Sequence, residues 1–327
     1  MLSDTALMQD AADLLGYLIA RAERPGVTTA LPLAGARLQA ARQVLTQWGM
    51  ILPESASDDL RWPAACLPPL EVRRIEAGLS AATRRRLEVH VHPVVDSTNA
   101  WVAALPHGDR VPACLAEYQT AGRGRRGRGW HMPPGSGIAM SLRWDVSAWT
   151  ALPPHITLAL GLSVARALHD LGVTGIRLKW PNDFQVDGRK LGGMLVENRQ
   201  GGQRKRLIVG LGINVRVPGD THIDQPWTDL ETLLPGGCPG REHLAAVMLD
   251  TLVRELSGFP GRDPASLPGD WARFDALASE PVRAEAPGGA IEGIARGIDP
   301  HGRLRVETAQ GVVALDAGDV RVRRRRA

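Results

Sequence analysis

Apolar residues recur at helical spacing from Thr5 to Ala22, at Leu7, Ala11, Leu14, Leu15, Leu18 and Ile19, and again from Leu38 to Trp48. Gly26 and the segment from Pro32 to Gly35 separate the two stretches, and Gly49 closes the second. Pro53, Pro63, Pro68 and Pro69 then interrupt regular structure before a short helical piece from Leu70 to Leu79. This predicts a small helical domain with its linker over residues 1–85.

From Leu87 the pattern changes to strand-like runs, Leu87 to Val94, Ile138 to Trp144, Ile176 to Trp180 and Arg206 to Leu211, alternating with helices such as Ile156 to Leu171. A mixed α/β domain over 86–278 follows. Beyond Glu280, alternating runs are punctuated by Pro287-Gly288-Gly289, Asp299-Pro300-His301-Gly302 and Gln310-Gly311, the turn chemistry of hairpins. A small β-barrel over 279–327 is the expectation, and three domains suit 327 residues better than a single core.

Composition narrows the class. With 44% apolar and 23% charged residues the chain reads as globular. Cys66, Cys114 and Cys238 lie far apart without metal-ligand spacing, so no disulfide framework or zinc site is expected. The first residues lack the order of a signal peptide, and no apolar stretch reaches the length of a membrane span, so a cytoplasmic protein without a membrane partner is predicted. The net charge of +4 is modest, and the run Arg323 to Arg326 reads as a solvated tail.

Four clusters carry chemistry. In Gly122-Arg123-Gly124-Arg125-Arg126-Gly127-Arg128-Gly129-Trp130, glycine opens the backbone to a ligand while guanidinium forks match phosphate or carboxylate oxygens, so an anion is expected. In Lys179-Trp180-Pro181-Asn182-Asp183, a strand bearing a lysine is stopped by proline and followed by an amide and a carboxylate. Asn182-Asp183 reads by itself as a turn; beside Lys179 it can meet a phosphate, a metal and a ribose. Asp187 to Glu197 reads as a turn followed by a strand whose Gly192 and Gly193 permit close contact with a flat ligand, Lys190 standing at the turn exit. Asp96-Ser97-Thr98-Asn99 reads as a capped helix start whose hydroxyls and amide can also bind a ureido group. Gly210-Leu211-Gly212-Ile213-Asn214 lacks the full dinucleotide fingerprint.

Taken in order, DSTN, EYQTAGRGRRGRGW, KWPND, DGRKLGGMLVE and GLGIN resemble the catalytic domain of biotin protein ligases of the bifunctional ligase-repressor type. The resemblance extends to the terminal barrel through Arg296-Gly297-Ile298-Asp299 and to the first domain through Thr46-Gln47-Trp48-Gly49. It implies an α+β protein with a winged-helix-like N-terminal domain, a central class II synthetase-like mixed α/β catalytic domain and a C-terminal SH3-like β-barrel.

The resemblance also implies the site. Biotin would be met by Ser97, Thr98, Asn99, Gln119, Arg123, Gly124 and Lys190, the phosphates by Arg125 and Arg128, and ATP with Mg2+ by Lys179, Asn182 and Asp183, with Asp183 on the metal. Gly122, Trp130, Gly192, Gly212 and Asn214 complete the ligand-binding set, and Arg125, Lys179 and Lys190 carry the catalysis. The biotin carboxylate would attack the α-phosphate of MgATP, and an acceptor lysine on a biotin carboxyl carrier protein would then attack the protected mixed anhydride.

A homodimer and an operator-binding first domain are further implications. The second meets a departure, since Gly26 to Gly35 is short and proline-interrupted for the first helix of a helix-turn-helix pair; Leu38 to Trp48 would read DNA through Arg37, Gln39, Arg42 and Gln43. The rival readings are a lipoate ligase or octanoyl transferase on the same fold, and a regulator that senses the adenylate without transferring it.

Overall fold

The amphipathic N-terminal stretches form α1 (Asp4–Glu23) and α2 (Gly35–Gln47) in a computed structural model that describes residues 3–24, 30–52, 60–201, 204–221, 223–286, 289–317 and 321–324. Gly26, Pro53, Pro287-Gly288 and Arg325-Arg326, on which expectations rested, lie outside the described residues. The Ser3 hydroxyl caps α1 by accepting from Ala6 N at 3.3 Å. The predicted periodic positions Leu14, Leu15 and Leu18 bury against Leu38, Ala41 and Leu45. Among the described residues before Leu87 there is no strand, so the wing of a winged helix is not among them.

The single helical piece expected from Leu70 to Leu79 is instead two, α3 (Val72–Gly78) and α4 (Ala81–Arg86). Pro68 and Pro69 hold the chain extended up to Leu70, whose N–H is taken by Glu117, and Ser80 ends one helix and caps the next by accepting from Thr83 N.

The central sheet has seven strands. β1 (Leu87–Val95) and β2 (Val111–Gln119) pair in parallel, joined through α5 (Thr98–Ala104), as a parallel pair requires a crossover. β3 (Gly137–Asp145), then β4 (Arg177–Lys179), β5 (Asp183–Val186), β6 (Arg189–Gly201) and β7 (Arg204–Asn214) continue it antiparallel in the order β1-β2-β3-β7-β6-β5-β4. The sequence pattern does not mark β2, because a largely apolar strand buried along its length shows no alternation, nor β5, because its four residues Asp183–Val186 are too few to establish a period.

Alternation of side chains divides the two faces. Leu115, Met140, Leu142, Val209 and Leu211 bury beneath α6 (Ile156–Asp170) and α8 (Arg241–Gly258), with α7 (Leu230–Leu233) and α9 (Leu267–Ala272) at the periphery. On the opposite face Cys114 and Ile208 pack with Val102 of α5. Ser141, Gly210, Gly212, Gly193 and Glu197 share that second face by register. It is small and polar where the first is filled.

β8 (Pro281–Ala286), β9 (Gly289–Ile298), β10 (Leu304–Thr308), β11 (Gly311–Leu315) and β12 (Arg321–Arg324) form a separate antiparallel sheet in the order β11-β10-β9-β8-β12. The predicted 299–302 turn joins β9 to β10, Asp299 accepting from His301 N and Arg303 N at 3.0 and 2.9 Å. That turn docks on the central sheet, where Trp180 Nε1 donates to Gly302 O at 3.0 Å.

Candidate active site

The arginine-glycine segment closes on itself as a narrow hairpin. Gly124 N donates to Arg128 O at 2.7 Å and Trp130 N to Gly122 O at 2.8 Å, while Arg123 and Gly129 form a bridge. Arg126 takes a left-handed φ of 58° at the tip, so the turn holds guanidinium groups close together without intervening carboxylates in the loop. Arg123 lines a cleft of about 410 Å3 with Ala100, Ala103, Arg199 and Arg206. Arg125 turns the other way and donates to the Ala317 carbonyl in the turn after β11. Burial, with Arg126 and Arg128 adding to it and Asp183 opposing, pulls the Arg125 guanidinium below its ordinary range; it remains a cation.

Trp130 leaves the hairpin and lies flat on β7. A Cβ on Gly212 would stand 2.5 Å from two carbons of its indole ring, so glycine is required there for the ring to reach the sheet. The indole Nε1–H is buried and without a partner.

Over that ring, 5.3 Å from its centroid, sits the Lys190 ammonium, which also pairs with Asp183 Oδ1 at 2.9 Å. Asp187 and Gly188, at φ 50° and 74°, make the two-residue turn between β5 and β6 that sets Lys190 opposite the strand carrying Asp183. The KWPND and DGRKLGG motifs therefore meet as neighbouring strands, and three of the four clusters converge on one face.

The DSTN cluster completes the set from α5. Thr98 N donates to Gln119 Oε1 at 2.8 Å, and Ser141 Oγ lies 2.7 Å from Thr98 Oγ1 and 2.6 Å from Asn99 Oδ1. Asn99 Nδ2 donates to Glu197 Oε2 at 2.8 Å, so the Asn99 side chain is engaged within the protein at both ends. Gly210 makes this possible, since a Cβ there would stand 2.3 Å from Asn99 Oδ1.

Other predicted residues have structural partners. Asn182 Nδ2 donates to Met194 O at 2.7 Å, tying the KWPND turn to β6. Asn214 Nδ2 donates to Thr228 O at 3.0 Å and Lys190 O at 3.4 Å, fixing the segment that pairs beside Lys190. Lys179 stands opposite Asp183 across β4 and β5. Of the two glycines after Lys190, Gly193 is the one on the face of Lys190 and Asp183; Gly192 packs toward Ile213 on the filled face, because neighbouring strand positions alternate. Ser97 precedes α5 as its N-cap residue and makes no side-chain capping bond.

Sequence reasoning missed the supports. Glu117 and Arg241, with side chains 1% and 2% exposed, form a bidentate pair at 2.8 and 2.9 Å. Glu117 also accepts from Leu70 N at 2.7 Å and Gly135 N at 3.2 Å, and Arg241 donates to Gly137 O at 3.1 Å, so the pair fixes the exit of the arginine-glycine hairpin. An acid inside the apolar run Val111 to Tyr118 was the available signal, because a carboxylate on a covered sheet face needs a buried partner. Ser141 and Arg143 in the apolar run of β3 carry the same signal. Arg143 donates to the Val102, Leu105 and Pro106 carbonyls and so holds the end of α5. Behind the hairpin, Tyr118 stacks on Trp48 of the N-terminal helices at 4.1 Å and meets His131 edge-on at 6.1 Å.

The site thus combines a cationic hairpin, a lysine paired with a carboxylate, an unsatisfied indole N–H and a cluster of buried hydroxyl and amide groups. This donor set fits a ligand with phosphate groups and a small polar ring. Asp183 is the carboxylate at the lysine; among the described residues no group of three or more His, Cys, Asp or Glu is placed to hold a metal. A magnesium ion here would rely chiefly on the oxygens of its nucleotide, the usual arrangement for that ion.

Residues 91–214 match the Biotin/lipoate A/B protein ligase family and residues 280–323 the Biotin protein ligase C terminal domain. The chain is 35% identical over 242 residues to the Bifunctional ligase/repressor BirA of Escherichia coli (strain K12), covering 72% of this chain and 74% of that protein. It is 33% identical over 267 residues to the Biotin--[acetyl-CoA-carboxylase] ligase of Mycobacterium tuberculosis, covering 77% of this chain and 96% of that protein. The biotin protein ligase from Aquifex aeolicus in complex with biotin and ATP superposes with a TM-score of 0.63 at 27% identity, over 73% of this chain and 99% of that one.

Proposed function

Because the chain belongs to the biotin protein ligase family, we propose that it activates biotin with MgATP and transfers it to a lysine of a biotin carboxyl carrier protein. The observation that carries the reading is the convergence of the arginine-glycine hairpin, Lys190 and the Thr98-Gln119 pair on one polar face of the sheet. The chemistry is assigned to residues 86–278, flanked by units over 1–85 and 279–327.

The first step is attack of a biotin carboxylate oxygen on the α-phosphorus of ATP, with pyrophosphate leaving. Arg125, Arg128 and Lys179 stabilise the charge on the phosphates, and Asp183 would hold a magnesium ion, which when bound would supply further neutralisation. Release of Arg125 from the Ala317 carbonyl accompanies ligand binding, since the guanidinium then gains anionic partners. Lys190 meets the biotin carboxyl end, and Thr98 with Gln119 its ureido ring. Trp130 and the hairpin cover the mixed anhydride against water until the acceptor amine attacks its carbonyl and AMP departs.

ATP-pyrophosphate exchange with biotin, with lipoate or octanoate, and with neither acid tests this. Exchange dependent on biotin is expected. Exchange with lipoate or octanoate alone moves the protein to the sister activity, and biotin binding without exchange makes it a sensor.

Operator binding by the first unit has a specific observation against it. Arg37, one of four candidate base-reading side chains, pairs with the buried Asp10 at 2.5 Å. A gel-shift with ligand-loaded protein decides whether Gln39, Arg42 and Gln43 suffice.

A further inference from the structure

Beneath the Thr98 hydroxyl lies a chain of buried polar groups whose proton positions are over-determined. Thr98, Asn99 and Ser141 are 4%, 4% and 1% exposed, so water does not rearrange them. At its outer end stands Glu197, a carboxylate that only accepts and that is itself paired with Arg199 at 2.9 Å. Asn99 Nδ2 lies 2.8 Å from Glu197 Oε2 and 3.5 Å from Leu195 O, two acceptors, which fixes the amide with Oδ1 toward Ser141. Ser141 Oγ, 2.6 Å from that oxygen, must donate its single proton there. The 2.7 Å contact between Ser141 and Thr98 then needs a proton, and only Thr98 has one to give. Thr98 is thereby left with acceptor lone pairs on its remaining side. Its 3.1 Å neighbour Gln119 Oε1 is a second acceptor for the same proton, so with either partner the Thr98 proton is held inside the protein, and the bond from Thr98 N–H turns the Gln119 amide so that its NH2 is the donor end.

We infer that Glu197, Asn99 and Ser141 form a polarity relay that makes Thr98 an obligatory acceptor, so that the pocket selects a ring presenting an N–H and rejects an isosteric ring presenting an oxygen. The inference rests on the proposed contact between Thr98 and the ureido ring. Ser141 and Glu197 touch no ligand in this scheme; they are positioning residues acting through Thr98.

The test compares dissociation constants, by calorimetry on the full chain without ATP, for biotin and for the two isomeric cyclic carbamates in which one ureido N–H is replaced by oxygen. The wild type should reject one isomer by about tenfold or more, because acceptor would face acceptor. In Ser141→Ala, where only the longer 3.1 Å contact to Gln119 Oε1 still competes for the Thr98 proton and the hydroxyl can turn to donate, that ratio should fall about tenfold. Glu197→Gln keeps an acceptor for Asn99 and should restore a ratio near wild type; Glu197→Leu, at the partly exposed end of the relay, should lower the ratio without a cavity under α5. An equal loss of affinity for biotin and carbamate in Ser141→Ala and Glu197→Leu means ordinary packing and overturns the relay. Failure of the wild type to bind biotin at all overturns the ureido reading on which it stands, and the two failures are told apart by the wild-type titration.

Discussion

Removing Glu117 is the sharpest test of what holds the candidate site in shape. Its carboxylate and the Arg241 guanidinium are 1% and 2% exposed, and between them they satisfy Leu70 N, Gly135 N and Gly137 O. Glu117→Ala leaves a guanidinium without its counter-ion in a low-dielectric interior and two backbone donors without acceptors. Breaking such a pair costs about 3–5 kcal/mol, whereas replacing both partners with apolar groups of similar volume is far milder. For a unit of this size the single variant should lose roughly 10 °C in Tm. Glu117→Leu combined with Arg241→Met should recover at least half of that, the backbone donors remaining the residual loss. Differential scanning calorimetry at neutral pH reads both. A single variant within about 1 kcal/mol of wild type, or a double variant no better than the single, refutes the argument that a buried pair fixes the hairpin exit.

Three further outcomes are expected. Lys190→Ala removes a charged donor near the proposed carboxyl end and leaves Asp183 alone, so biotin affinity should weaken by about 10–100-fold in calorimetry, and unchanged affinity makes Lys190 structural only. Gly212→Ala forces the Trp130 ring off β7, so Tm should change little while release of the adenylate into solution rises several-fold; retention equal to wild type refutes a covering role for Trp130. Burial holds His155 below its usual range, with Arg262 and His301 adding to it, and burial likewise lowers His92 and His131. The unfolded chain therefore binds more protons, and the stability these groups confer is present above pH about 6.5 and lost as pH falls toward their folded values. A plot of Tm against pH should drop below about 6.5, less steeply in His155→Asn, and an identical slope in that variant removes His155 as a contributor.

The motifs were legible in the chain because each depends on local chemistry. Arginine alternating with glycine between Gly122 and Trp130 has no helical or strand rationale, and Asp187-Gly188 is a hairpin turn by its own dihedral needs. Amphipathic spacing likewise marked α1, α2 and α6 nearly to their ends. What the chain could not reveal is which residues meet across distance. Glu117 and Arg241 stand 124 positions apart, and Arg125 and Ala317 stand 192 apart; only the sheet order and the docking of the C-terminal strands bring them together. The two glycines after Lys190 were indistinguishable as letters, and strand register assigned Gly193 to the site face and Gly192 to the core. Asn99 looked from its motif like a ligand contact, yet a carboxylate on β6 and a hydroxyl on β3 claim it. Local propensity and turn chemistry act within a few residues, so sequence alone determines elements and motifs. Burial and hydrogen-bond satisfaction are properties of the assembled sheet, so only the tertiary structure decides which of those polar residues face a ligand and which hold the others in place.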